Sequence, residues 1–141
     1  MEHLSEFKQL GLSDLSLAAI EKKGFEQPSP IQRMTIPVLM NEECDIIGQA
    51  QTGTGKTAAF GLPIIEKIEG GKGVVQAIIL VPTRELALQV SDEISSLADR
   101  RISVSTVYGG QSISEQQRRL RKGVDLVVGT PGRVQDLIDR G

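Results

Sequence analysis

Four short apolar runs punctuate the chain and leave room for a helix between each: DIIGQ at 45–49, AIILV at 77–81, ISVSTVY at 102–108 and VDLVVG at 124–129. Their length and β-branched content predict strands. AIILV and DLVVG hardly alternate between apolar and polar residues, the pattern of strands covered on both faces. Helical patterns lie around and between them. SDLSLAAIEKKG opens with Ser13 as N-cap and closes on Lys22 and Lys23 before Gly24. PIQRMTIPVLM follows Ser29 as cap, has Pro30 at the first helical position, and carries Pro37 where a missing donor would kink it. A third helix leaves the Gly-rich stretch at 50–57 and runs to about Ile68, ahead of Gly70 and Gly71. RELALQVSDEISSLADR sets Leu86, Val90, Ile94 and Leu97 on one core-facing stripe. SISEQQRRLRK opens with the capping box Ser112 and Glu115, and PGRVQDLIDRG has Thr130 as N-cap, Pro131 at its first position and Gly141 past its end. Strands separated by helices imply right-handed crossovers and an α/β fold with a doubly wound, largely parallel sheet. In such sheets ligands gather at the carboxyl ends of the strands.

Composition fits one domain: 141 residues, 39% hydrophobic and 24% charged, with 15 glycines for turns. There is no apolar run of membrane-spanning length and no secretory signal at the N-terminus, which points to a cytoplasmic protein. Cys44 is the single cysteine and reads as a semi-buried small apolar residue; His3, the single histidine, suggests no site. The formal net charge of −2 hides a gradient, with 4 basic and 8 acidic residues in 1–50, 4 and 6 in 51–99, and 8 and 4 in 100–141. The basic run QQRRLRK at 116–122 reads first as a solvated helix face. Any binding of polyanions must then use local devices rather than a broad basic patch.

Such a device sits at AQTGTGKT, residues 50–57. The octet matches the phosphate-loop pattern except that Ala50 replaces the first glycine, and it follows one expected strand and opens an expected helix. Ala50, Gln51, Thr52, Gly53, Thr54 and Gly55 would wrap phosphates in backbone N–H groups, with the helix N-terminus adding partial positive charge. Lys56 would neutralise the β and γ oxygens and Thr57 would offer its hydroxyl to Mg²⁺. The bland alternative is a Gly-rich turn with a surface lysine.

Upstream lies GFEQPSPIQ at 24–32, and with Phe7 it resembles the Q motif of DEAD-box RNA helicases, placing that motif at 7–32. Further matches run in the family's order: AQTGTGKT as motif I, PTRELALQ at 82–89 as motif Ia, Gly109 and Gly110 as GG, and TPGR at 130–133 as motif Ib. The resemblance covers essentially the whole chain and is closest in flavour to bacterial members. It implies a RecA-like P-loop domain binding ATP. An amide such as Gln32 can donate to and accept from the N6/N7 edge of adenine, a pairing that the O6 of guanine would frustrate. Phe25 would lie against the base and Phe7 would buttress the segment. Read without the family, both phenylalanines fit core positions and Gln32 a surface amide. Pro82, Thr83 and Arg84, then Gly109 and Gly110, then Thr130, Pro131, Gly132 and Arg133 would bind RNA through its backbone, indifferent to base sequence. For Thr130 and Pro131, helix capping alone is a sufficient explanation.

The family's acidic D-E-A-D motif, its S-A-T motif and a second RecA-like domain with arginine fingers are not found in the 141 residues. The expectation is therefore an N-terminal portion of the first helicase domain. As given, the chain should bind ATP weakly, hydrolyse it barely, expose apolar strand edges and tend to self-associate. The competing reading is a non-catalytic nucleotide- and RNA-binding module. A small-molecule kinase or GTPase is disfavoured by Gln32 and motif Ib.

Overall fold

The computed structural model describes residues 4–141, so His3 lies outside the described residues. The chain divides into two compact units, residues 1–67 with 96–99, and residues 68–95 with 100–141.

The first unit is helical: α1 (Ser5–Gln9), α2 (Asp14–Lys22), α3 (Pro30–Asn41) and α4 (Lys56–Lys67). Its core is made of Phe7, Ile20, Ile36 and Leu62, all fully buried. Each such side chain contributes about 1.5–3 kcal/mol by leaving water. Sequence signals set the helix ends. Ser13 caps α2, its hydroxyl accepting from the Ser16 amide, and Gly24 follows the helix with φ +78°. Glu66 of α4 reinforces that cap, accepting from the Ser13 amide (3.0 Å), the Ser13 hydroxyl (2.8 Å) and the Ser16 hydroxyl (2.5 Å). Helix α3 starts on Ser29 with Pro30 in its first turn and runs through Pro37.

The second unit is a three-stranded parallel sheet with flanking helices: β1 (Ala77–Leu80), α5 (Arg84–Ala98, of which residues 96–98 are grouped with the first unit), β2 (Val104–Val107), α6 (Ile113–Arg121), β3 (Leu126–Gly129) and α7 (Pro131–Asp139). Strand order is β1-β3-β2, with Ile79 opposite Val128 and Val107 opposite Gly129. Val107 and Val127 share one face and pack with Leu120 of α6 and with Val134 and Leu137 of α7. On the other face the Thr106 hydroxyl donates to Ser91 of α5 at 2.6 Å. Helices thus cover both faces, as a doubly wound sheet requires. At the opposite strand ends, the buried Asp125 carboxylate accepts from the Ser103 amide and hydroxyl, while its backbone carbonyl takes the Gln76 amide. One residue therefore registers the starts of three strands.

Several expectations need correction. DIIGQ forms no strand: among the described residues the sheet has three members, none of them this segment, and Ile47 is fully exposed. An apolar β-branched run shows competence to pair, and without a ladder partner its backbone stays irregular. Nor is AIILV covered on both faces. Ile78 and Leu80 lie on the side that α6 and α7 cover over β2 and β3, but β1 is an edge strand beyond that cover, leaving them 52% and 58% exposed. DLVVG, the central strand, is buried throughout, as expected. Cys44 is exposed rather than semi-buried, because the segment around it is unpaired. In α6 only half a capping box forms: Ser112 accepts from the Glu115 amide, but the Glu115 carboxylate turns to Arg119 at 2.9 Å. Thr130 occupies the N-cap position of α7 without a side-chain cap hydrogen bond. Among the described residues no helix is long and apolar enough to cross a membrane.

Candidate functional site

The phosphate loop has the backbone its glycines require. Gly53 and Gly55 adopt φ +77° and +76°, the left-handed region that L side chains rarely enter, and α4 begins at Lys56. A Cβ on Gly55 would also run into the Gln32 amide, so a side chain there would push Gln32 away from the Gly55 carbonyl. Thr54 Oγ1 donates to the Gln51 carbonyl at 2.6 Å and closes the turn. Lys56 Nζ donates to the Ala50 carbonyl at 2.9 Å, so the loop's own oxygen holds the ammonium. Ala50, Gln51, Thr52 and Thr57 complete the segment, with Thr57 in the first turn of α4.

Beside the loop lies an open cleft of about 570 Å³ lined by Phe25, Gln27, Ser29, Gln32, Gly53 and Gly55, among others. Gln32 is 4% exposed and joins its parts. Its Oε1 accepts from the Ser29 amide at 3.0 Å, the reciprocal half of a capping box, and its Nε2 donates to the Gly55 carbonyl at 3.1 Å. The surface-amide alternative is therefore wrong. Phe25 is half-buried on the cleft wall, with Lys23 Nζ 6.0 Å from its ring centre. Phe7 is fully buried in α1 and does not line the cleft, so it supports the site without touching a ligand. Arg33 fixes the Gln-bearing segment, donating from Nε to the Pro28 carbonyl at 3.0 Å and pairing with Glu6 of α1.

In the second unit, the loops that follow β1, β2 and β3 all leave the carboxyl edge of the parallel sheet. Cross-strand backbone bonds bind them there, from Val81 N to the Gly129 carbonyl and from Thr130 N to the Val107 carbonyl. Pro82, Thr83 and Arg84 are exposed at the start of α5, where Thr83 Oγ1 accepts from the Leu86 amide at 3.2 Å. Gly109 and Gly110 are exposed beyond β2, and Thr130, Pro131, Gly132 and Arg133 open α7. Gly129 permits the tight exit into α7, since a Cβ would meet Val107 and Val134 methyls at 2.5 and 2.6 Å. The structure ties these loops together through residues the motif reading did not name. The Arg84 guanidinium lies 4.9 Å from the Tyr108 ring centre. Gln116 Nε2 donates to the Tyr108 carbonyl at 3.1 Å, and Arg133 Nη1 donates to both the Gln111 carbonyl and Gln116 Oε1 at 3.0 Å. A signal for Gln116 was present: it falls between Ile113 and Leu120 at helical spacing, a polar residue on the inner face. The rest of the basic run, from Arg118 to Lys122, is a solvated face apart from half-buried Leu120, with Glu115 paired to Arg118 and Arg119.

A family model for DEAD/DEAH box helicases matches residues 29–141. The chain belongs to that family. It is 52% identical over 139 residues to the DEAD-box ATP-dependent RNA helicase CshA of Geobacillus kaustophilus, covering 98% of this chain and 30% of that protein. Against the ATP-dependent RNA helicase CshA of Listeria monocytogenes it is 51% identical over 138 residues, 97% of this chain and 26% of the relative. The chain thus spans under a third of the length of these curated relatives. Among solved structures, a DEAD box protein from the hyperthermophile Methanococcus jannaschii superimposes with a TM-score of 0.90 at 48% identity, covering 96% of this chain and 37% of the other. Dbp5 of S. cerevisiae, bound to RNA and ADP BeF3, gives 0.86 at 34% identity over 96% and 34% of the two chains. The fold is that of the RecA-like domains of DEAD-box proteins, with an incomplete parallel sheet.

Proposed function

We propose that this chain carries the ATP-binding cleft and an RNA-backbone surface of the first domain of an ATP-dependent RNA helicase, whose whole couples ATP hydrolysis to separation of short RNA duplexes. One observation carries the nucleotide half of this reading: Gln32 lines the same cleft as Gly53 and Gly55 and bonds directly to the loop. A primary amide has two donor hydrogens and two acceptor sites. Gln32 uses one of each inside the chain, leaving one donor for N7 and one acceptor for the N6 amine of adenine. Phe25 lies against the base and Phe7 supports the segment from below. Phosphates meet the backbone amides of Ala50 to Gly55 and the N-terminus of α4, and Lys56 exchanges the Ala50 carbonyl for phosphate oxygens.

Mg²⁺, when bound, spreads the charge of the β and γ oxygens. Thr57 is the residue here that would hold it, since Mg²⁺ keeps most of its shell as water and phosphate oxygen. Among the described residues no group of three or more His, Cys, Asp or Glu could hold a metal ion. Hydrolysis also needs an acid to hold the metal and a group to orient the attacking water, and none of the residues assigned to the cleft is either, so the reading for this chain alone is binding without appreciable turnover. RNA phosphates would be taken by the N–H groups and side chains at Pro82–Arg84, Gly109–Gly110 and Thr130–Arg133, positions that read no bases.

A turnover assay with and without single-stranded RNA, paired with ATP/GTP competition binding, tests the reading. The expected result is ATP and RNA binding, preference for ATP, and hydrolysis barely above background. RNA-stimulated hydrolysis on the order of 1–10 s⁻¹ would overturn the binding-only assignment, and a preference for GTP would overturn the role of Gln32.

A further inference from the structure

We infer that Gln116 is a positioning residue for the RNA-backbone surface, a buried amide that fixes the Gly109–Gly110 turn and the Arg133 guanidinium in one arrangement. The inference rests on the RNA reading above. Gln116 is 3% exposed, while Ile113 and Leu120 on the same face of α6 are half-buried. An apolar side chain would satisfy that position, and a buried amide is tolerated only where its polar atoms find partners. One partner of Gln116, Arg133, belongs to the candidate surface, and the other, Tyr108, adjoins its two glycines. Nε2 holds the Tyr108 carbonyl, immediately before the two glycines, and Oε1 takes a hydrogen from Arg133 Nη1. The second hydrogen of that same Nη1 goes to the Gln111 carbonyl, immediately after the glycines. The turn, in which Gly110 has φ +84°, is therefore clamped at both ends by one amide–guanidinium pair.

The geometry also defines what Arg133 can do. Its Nη1 spends both hydrogens within the chain and its Nε is buried with no hydrogen-bond partner, which leaves Nη2 as the donor for a phosphate. Arg133 thus acts as a strut with one outward-facing donor group, and Gln116 sets where that group points. Tyr108 extends the arrangement to Arg84, which stacks on its ring.

The test uses this chain, a short fluorescent oligouridylate and binding isotherms at several salt concentrations, with the melting temperature recorded for each variant. Gln116→Met keeps length and helix preference and removes both hydrogen bonds. It should weaken RNA binding about tenfold and reduce the magnitude of the salt slope by about one contact's worth, because Arg133 is no longer held. Affinity for a fluorescent ATP analogue should stay as in the parent. In an Arg133→Ala background, Gln116→Met should cost little more, since both changes break the same clamp. A parental RNA affinity and slope in Gln116→Met, or fully additive losses in the double variant, would overturn the inference while the RNA reading stands. Failure of the parent chain to bind oligouridylate at all would remove both. Should the Met variant not fold, Gln116→Glu keeps the acceptor for Arg133 but sets oxygen against the Tyr108 carbonyl. It should also weaken RNA binding at least threefold, and parental binding by it would count against the inference.

Discussion

Gln32 shows how one side chain comes to serve two structural ends before any ligand arrives. It completes the cap of α3 through Ser29 and braces the phosphate loop through the Gly55 carbonyl. Gln32→Ala removes both bonds. The expected outcome is a loss of about 1 kcal/mol or more in stability from the cap, read by chemical denaturation, given the range of cap deletions. Competition binding should show a disproportionate fall in ATP affinity together with a narrowed ATP/GTP ratio; unchanged nucleotide affinity would mean the amide is a cap alone. Much of this was legible. Ser29 caps α3 as its position predicts, and the Gly-rich stretch turns into α4 where a phosphate loop was expected, with Gly53 and Gly55 in the left-handed region. What could not be read was which buried polar groups meet across long stretches of chain. Gln32 to Gly55, Gln116 to Arg133 and Asp125 to Ser103 each depend on tertiary packing that no local spacing encodes.

At the level of elements, helix termini were more legible than strands. Serine caps, first-turn prolines and trailing glycines act through local geometry, so Ser13, Ser29, Pro30 and Pro131 fall where they were expected. A strand needs a neighbour, and sequence pattern reports only willingness to have one. Hence the segment at 45–49 carries apolar residues without pairing, and β1 shows Ile78 and Leu80 to solvent on an open edge. Such an edge offers unpaired backbone groups and apolar side chains to a second copy. Light scattering should therefore rise with protein concentration, and Ile78→Lys with Leu80→Lys should suppress the rise with little change in melting temperature, since both residues are already half exposed. A monomeric, concentration-independent melt of the unaltered chain would contradict this.

Across the whole molecule, the two compact units divide the proposed ligands between them. Every cleft residue named for the nucleotide belongs to the first unit and every residue named for RNA to the second. Charge follows the same division: the first unit carries six basic and ten acidic residues, the second ten and eight, so the overall −2 is the sum of −4 and +2. The acidic total therefore does not count against RNA, whose proposed contacts sit on the positive unit. With no residue common to the two sites, saturating RNA should change the affinity for an ATP analogue by no more than about twofold, a coupling well below the 5–150-fold typical of linked sites. Titration of the analogue at zero and saturating oligouridylate measures it, and a fivefold change in either direction would show that the chain already links the two.

The exposure of Cys44 has a practical side. It is the only thiol in the chain, it is open to solvent, and it stands six positions ahead of Ala50 in the unpaired stretch leading to the phosphate loop. A maleimide fluorophore would attach there and nowhere else, without any engineered cysteine. The protein comes with a built-in labelling position from which the proposed nucleotide binding can be tested in real time.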